Sequence, residues 1–212
     1  MSTPSKRIII GITGASGAAC ALKVIQTAVA SGVAVHVAVS TMGRRLLFEE
    51  AGIRRVTAEA MLGADATEAD LQRITLHGDN DLGATIASGS FQHDGMVIVP
   101  CTSNTLGAIA GGMTFSLVQR AATVCLKERR RLVLAYRESP VSAIDLGNMQ
   151  TVTAAGGIIA PLSPGFYLDP VTIDDLIDFM AGRLLDLLGV EHGLAIRWRE
   201  EASPREHRNI ES

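Results

Sequence analysis

Aromatic residues are scarce in this chain of 212 residues: one Trp, two Tyr and five Phe, 4% of the total. Charged residues are scarce too, at 19%, against 47% hydrophobic residues and 21 glycines. That balance excludes a disordered or fibrous chain and fits a compact α/β domain. The formal net charge is only −3, which removes nucleic acid from the expected partners. No apolar run reaches the ~18 residues that a membrane span needs, and no signal-peptide pattern precedes Ile8. Three cysteines, an odd number, point to reduced thiols in a cytoplasmic protein rather than disulfides. No two His, Cys or acidic residues stand at metal-ligand spacing, so no metal site is expected. His77 and His93 each stand alone in the sequence. There is no internal repeat and no linker.

What is present is an excess of apolar character. The mean hydropathy is +0.26, high for a chain without a membrane segment. The surplus apolar surface is expected to be buried between the subunits of a homo-oligomer.

The elements alternate. Apolar runs at 7–12, 34–40, 73–77, 95–100, 131–136 and 156–161 read as strands. Segments at 17–31, 42–52, 104–111, 116–128, 143–155 and 173–188 read as helices, with a short one at 81–89. Residues 53–73 read as a surface excursion with one short helix. This order implies right-handed crossovers and a doubly wound, mostly parallel sheet with helices on both faces, flavodoxin- or Rossmann-like. One domain is expected over 1–198, followed by a polar tail at 199–212.

In such sheets ligands sit beyond the carboxyl ends of the strands. The first strand ends in Thr13-Gly14-Ala15-Ser16-Gly17, where glycines admit an anion and the next helix offers free N–H groups. A tight turn without a ligand is the alternative. The spacing is Gly11-x-x-Gly14-x-x-Gly17, not G-x-G-x-x-G, and the second strand ends in Ser40-Thr41 without a ribose-binding acid. A mononucleotide therefore fits better than a dinucleotide. The fourth strand runs into Thr102, Ser103, Asn104 and Thr105, a second hydroxyl-rich helix start. Cys101 reads as a small residue at a strand end rather than a nucleophile. Arg137-Glu138 follows the fifth strand directly, either as a salt-bridged turn or as part of a site. The loop 161–170 is stiffened by three prolines and carries Phe166-Tyr167. It either covers a ligand or packs on a neighbouring subunit. Arg120 and Lys127 share a helix stripe, which a solvated face would also explain. Arg183 is expected on an apolar stripe with Met180, Leu184 and Leu187, where a guanidinium needs an anion or must snorkel. Glu50 is ambiguous by itself.

Taken together, the stretches "GITGASGA", "SGSFQHDGMVIVPCTSNTLGAIAGG", "LVQRAATVCLKERRRLVLAYRESP", "APLSPGFY" and Arg197-Trp198 resemble the UbiX-type flavin prenyltransferases of the flavodoxin-like FMN-binding group. The resemblance runs from about residue 6 to residue 198. Thr123 and Gly156-Gly157 depart from the family's usual residues. The resemblance implies transfer of a dimethylallyl group from dimethylallyl phosphate or diphosphate to reduced FMN, first at N5 and then at C6, without a metal. It implies that the prenylated FMN serves a UbiD-type decarboxylase and that the assembly is a dodecamer. FMN would be held by Gly14, Ala15, Ser16, Ser40, Thr102, Ser103, Asn104, Thr105 and Arg137. The allyl phosphate would meet Lys127, Tyr167 and Arg183, with Arg120 and Glu138 close by and Trp198 walling the pocket. Glu50, Ser16, Arg120, Lys127 and Glu138 would do the catalytic work. Alternatives are a flavin-dependent cysteine decarboxylase, with His77 as its candidate histidine, an FMN carrier subunit without chemistry, or an NADP oxidoreductase.

Overall fold

The computed structural model describes residues 6–194. The apolar runs form β1 (Arg7–Ile12), β2 (Ala34–Val39), β3 (Ile74–Gly78), β4 (Gly95–Cys101), β5 (Leu132–Tyr136) and β6 (Ile158–Ile159). Their order is β3-β2-β1-β4-β5-β6 and every pairing is parallel. Strands of this kind are covered on both faces, which is why β4 and β5 are buried at every position.

The helices are α1 (Ala18–Ala30), α2 (Thr41–Ala51), α3 (Ala58–Leu62), α4 (Glu68–Leu71), α5 (Ser103–Ala110), α6 (Leu117–Lys127), α7 (Ala143–Ala154) and α8 (Ile173–Leu187). They make two layers. On one face α1, α2 and α8 pack over Ile8, Ile10, Val35, Val37, Val97 and Val133. On the other, α5, α6 and Val152 of α7 pack over Ile9, Met96, Ile98, Leu132 and Leu134. Each such large aliphatic side chain contributes about 1.5–3 kcal/mol relative to exposure. The sheet's winding reverses at β1, whose neighbours are β2 and β4. The connections leaving β1 and β4 run to opposite layers and open a crevice between them.

The structure differs from the sequence expectation in three places. Residues 53–73 hold two short helices, each opened by its own threonine cap: Thr57 accepts from Ala60 N and Thr67 from Asp70 N. At 81–89 there is only a 3₁₀ turn over Thr85–Ala87. The sixth strand shrinks to two residues because Pro161 has no N–H to give. Pairing resumes around it, with Ala160 N donating to Leu134 O and Leu162 N to Tyr136 O, both at 2.9 Å.

Candidate functional site

Helices α2 through α8 each open on a Ser or Thr whose side chain accepts from the first turn. Helix α1 does not: its N-cap is Gly17, at φ 137 with no side-chain cap. A Cβ there would lie 3.2 Å from Leu162 and 3.5 Å from Pro100, so the turn is closed over by the loop after β6 and by the end of β4. The missing cap comes from α2. Glu50 Oε2 accepts from Gly17 N at 3.0 Å and Ala18 N at 2.9 Å. Partial burial pushes the Glu50 carboxyl up. The two amides, the Ser16 hydroxyl and the charge of Arg137 outweigh it and hold the group below the usual carboxylate range. Helix α2 reaches this turn because Gly43 lets it press on β1: a Cβ at 43 would stand 2.4 Å from Ile12 O. Next to Glu50, the amides of Gly14, Ala15 and Ser16 have no partner among the described residues.

The start of α5 repeats the device with different parts. Glu138 Oε1 accepts from Ser103 N at 2.7 Å, and its Oε2 accepts from the Ser103 hydroxyl at 2.9 Å. Ser103 Oγ also lies 2.8 Å from the phenol of Tyr136. Arg137 and Glu138 therefore part company. The guanidinium acts toward Glu50 and the carboxylate caps α5. The hydroxyls expected to face a phosphate are partly committed. Ser40 Oγ caps Gly43 N, while Thr102 Oγ1 accepts from Thr105 N and donates to Thr105 Oγ1. Asn104 is exposed. Beneath the crevice, buried Thr13 donates through Oγ1 to Pro100 O at 2.7 Å and accepts from Thr102 N at 3.1 Å, tying the ends of β1 and β4 together.

The expected phosphate cations do not meet within one chain. Arg120 and Lys127 lie exposed on α6. Seven residues along a helix is about 10 Å, and α6 runs away from the carboxyl edge. Just beyond Lys127, Arg130 donates to Gly89 O and Phe91 O, in the segment that leads into the start of β4. Arg183 and Tyr167 belong to the opposite layer. The buried stripe of α8 is Ala181, Leu184, Leu185 and Leu188, so Arg183 falls off it. It is half exposed and pairs with Asp186 at 3.3 Å, correcting the expectation of an apolar setting. Tyr167 packs edge-on against Phe179 of α8, ring centres 5.5 Å apart. Trp198 and the tail lie outside the described residues.

His77 is not alone. His36 on β2 reaches it diagonally across the β2–β3 ladder, where His36 pairs with Thr75 and His77 with Ala38, and Nδ1 and Nε2 lie 2.9 Å apart. Register between strands is invisible to a reading of single segments. Tyr136 and Thr13 were also missed as site residues. The signal for both was a hydroxyl at the end of an otherwise aliphatic strand. Cys101 is fully buried, with its thiol pushed up first by burial and then by Glu138, which removes it as a nucleophile. Among the described residues no cluster of three or more His, Cys, Asp or Glu could hold a metal. Nor is any described helix long and apolar enough to cross a membrane.

A parallel sheet whose switch point carries an anion-ready turn defines an α/β protein that binds a nucleotide or flavin. The donors fit a phosphate: three unpartnered amides at Gly14–Ser16, a hydroxyl on Ser16 and the Arg137 guanidinium. The comparisons narrow the class. The Flavoprotein family matches residues 1–185. Flavin prenyltransferase UbiX of Halalkalibacterium halodurans is 42% identical, over 91% of this chain and 93% of its own. Its namesake in Aquifex aeolicus is 39% identical, over 92% and 99%. A crystal structure of AnUbiX (PadA1) in complex with FMN and dimethylallyl pyrophosphate superposes with a TM-score of 0.81 at 38% identity, over 93% of this chain and 100% of that one. A dodecameric FMN-dependent UbiX-like decarboxylase from Escherichia coli O157:H7 gives 0.78 at 36%, over 91% and 99%. The chain belongs to the Flavoprotein family, among its UbiX flavin prenyltransferases. The cysteine decarboxylase TvaF, at 16% identity and a TM-score of 0.55, shares the fold alone.

Proposed function

We propose that this chain is a flavin prenyltransferase, moving a dimethylallyl group from dimethylallyl phosphate or diphosphate to reduced FMN. The observation that carries the reading is the switch point of a UbiX-family sheet: unpartnered Gly14–Ser16 amides beside Glu50 and Arg137. When bound, reduced FMN supplies the nucleophile that takes the allyl group. The chain's own residues do the rest. Gly14, Ala15, Ser16 and Arg137 hold the flavin phosphate, helped by Ser40 and the 102–105 helix start. Arg120, Lys127, Arg183 and Tyr167 neutralise the phosphate that leaves. Glu138, fixed on the α5 start, is placed to accept the proton released when the second bond closes.

The two layers divide the cations of one chain, so the complete set needs Arg120 and Lys127 of one copy beside Tyr167 and Arg183 of another. A homo-oligomer, dodecameric as in the Escherichia coli relative, would supply that contact. It would also cover the exposed Phe115, Ile144, Leu146 and Val171. The setting is cytoplasmic, and the product goes to a UbiD-type decarboxylase. Incubation with reduced FMN and each donor, followed by mass analysis of the flavin, tests the reading. The flavin is expected to gain one dimethylallyl group. An unmodified flavin with both donors overturns it.

A further inference from the structure

Tyr136 ends β5, is 3% exposed, and has no part in the functional reading above. Its phenol oxygen lies 2.8 Å from Ser103 Oγ. Ser103 in turn holds Glu138 twice, through its amide at 2.7 Å and its hydroxyl at 2.9 Å. A count of protons fixes the direction of this chain. The Ser103 hydroxyl has one hydrogen, and a carboxylate without a proton only accepts. Glu138 takes that hydrogen; Asp145 of α7, which also interacts with the Ser103 hydroxyl, is the other acceptor in reach. Either way the Ser103 hydrogen is spent on a carboxylate, so the phenol must donate to Ser103. Burial, opposed by Ser103 and reinforced by Asp145, Glu138 and Cys101, holds the Tyr136 hydroxyl above its ordinary range, which keeps its proton in place.

We propose that Tyr136 is a positioning residue for prenyl transfer: its phenol fixes the Ser103 rotamer that aims Glu138 from the start of α5. The inference rests on the proton-accepting role of Glu138 argued above. Ser103 has a choice between two carboxylates, Glu138 on the β5 loop and Asp145 on α7. A phenol donating from beneath restricts the hydroxyl to the rotamer that serves Glu138. A phenylalanine fills the same aliphatic space and leaves that choice open. No other element offers Ser103 a donor among the described residues, so Tyr136 alone sets the bias.

Two measurements test this on the intact protein. The first needs no flavin and no turnover: millisecond hydrogen exchange, read by mass spectrometry over the peptide holding Ser103. In Tyr136→Phe the Ser103 amide loses its steady carboxylate partner and exchanges about tenfold faster. Unchanged exchange overturns the positioning role whatever the enzyme does. The second is prenyl transfer across pH. In Tyr136→Phe, kcat falls about tenfold, KM for the donor and FMN affinity stay within about twofold, and the acid limb of the profile moves to higher pH. A loss confined to KM, or an unmoved pH limb, assigns Tyr136 to packing only. With FMN saturating, Ser103→Ala shows the same fall in kcat and the same pH shift, and Tyr136→Phe with Ser103→Ala is no worse in kcat than Ser103→Ala alone, because both act through one bond. Additive losses overturn the proposal. Should the wild type make no prenylated flavin, the functional reading fails while the exchange result still decides the positioning.

Discussion

The two layers that cover the sheet are not equally finished. The α1/α2/α8 layer is closed: α1 buries seven residues, α8 buries Ala181, Gly182, Leu184 and Leu185, and Lys23 ties the two helices through Asp178 at 2.7 Å. The α5/α6/α7 layer is open. Helix α7 buries only Val152, and Ile144 and Phe115 stand 77% and 78% exposed along a cavity of about 440 Å³ between α5, α6 and α7. The same contrast divides the chemistry. Glu50, Ser16, Tyr167 and Arg183 belong to the closed side, Ser103, Glu138, Arg120 and Lys127 to the open side. On the proposed reading, a chain that leaves one side open and splits these cations across both holds half of a site, and another copy would supply the rest.

Breaking the open side has the largest expected effect. Ile144→Asp with Phe115→Asp puts charge on the exposed apolar set without touching the core. Sedimentation should then give smaller species, and prenyl transfer should fall about a hundredfold in step. Intact assemblies from this variant would place the interface elsewhere. Next come the cations. Lys127→Ala or Arg183→Ala should each cut transfer about ten- to a hundredfold, at ~1.4 kcal/mol per decade, while an FMN titration barely changes. Mixing and reassembling the two variants sharpens the comparison. A site shared between copies regains part of its activity, because some interfaces then pair an intact half with an intact half. A site within one chain regains none.

Smaller effects separate the two helix starts. Glu50→Gln removes the carboxylate from α1, which has no cap of its own, and should cost about 1 kcal/mol, or about 2–4 °C in Tm. Alpha5 keeps its Thr102 cap in Glu138→Gln, so a similar loss there would mean the two ends do not differ as described. The smallest effect is acid sensitivity at the β2–β3 edge. Burial, then His77, Arg7 and His93, push His36 down to about 4 from 6.5. The unfolded chain therefore binds more protons between those values. Stability from this neutral pair is complete above pH 6.5 and drains as pH falls toward 4. The ring is partly exposed, so the loss is about 1 kcal/mol after screening. Thermal melts of His36→Phe should show a shallower slope than wild type over that window. Equal slopes would clear the pair of any role.

The strands were legible because parallel strands covered on both sides leave unbroken aliphatic runs, and the Gly14–Gly17 stretch was legible as a tight glycine turn that opens a helix. Arg183 was misread because counting from Leu176 chose the wrong face of α8. Only the packing of Ala181, Leu184 and Leu188 on α1 fixes the phase. Nothing in the order of residues says that α6 and α8 take opposite sides of the sheet. The reversal of winding at β1 puts α6 opposite α1, and α8, which follows the last strand, joins α1 through its own apolar stripe. The partners of Gly17 and Ser103 are carboxylates far along the chain, and Tyr136 reads as one more apolar residue until Ser103 is seen above it.

The Thr13 latch joins partners 87 residues apart in sequence. During synthesis, then, the crevice has no early form. β1 and its glycine turn leave the ribosome long before β4 exists to close the floor beneath them. A nascent chain halted before Pro100 carries the whole of the first anion turn but neither the Thr102–Thr105 helix start nor Arg137. Closing the crevice is thus a long-range event, and a flavin added to such truncated chains should go unbound.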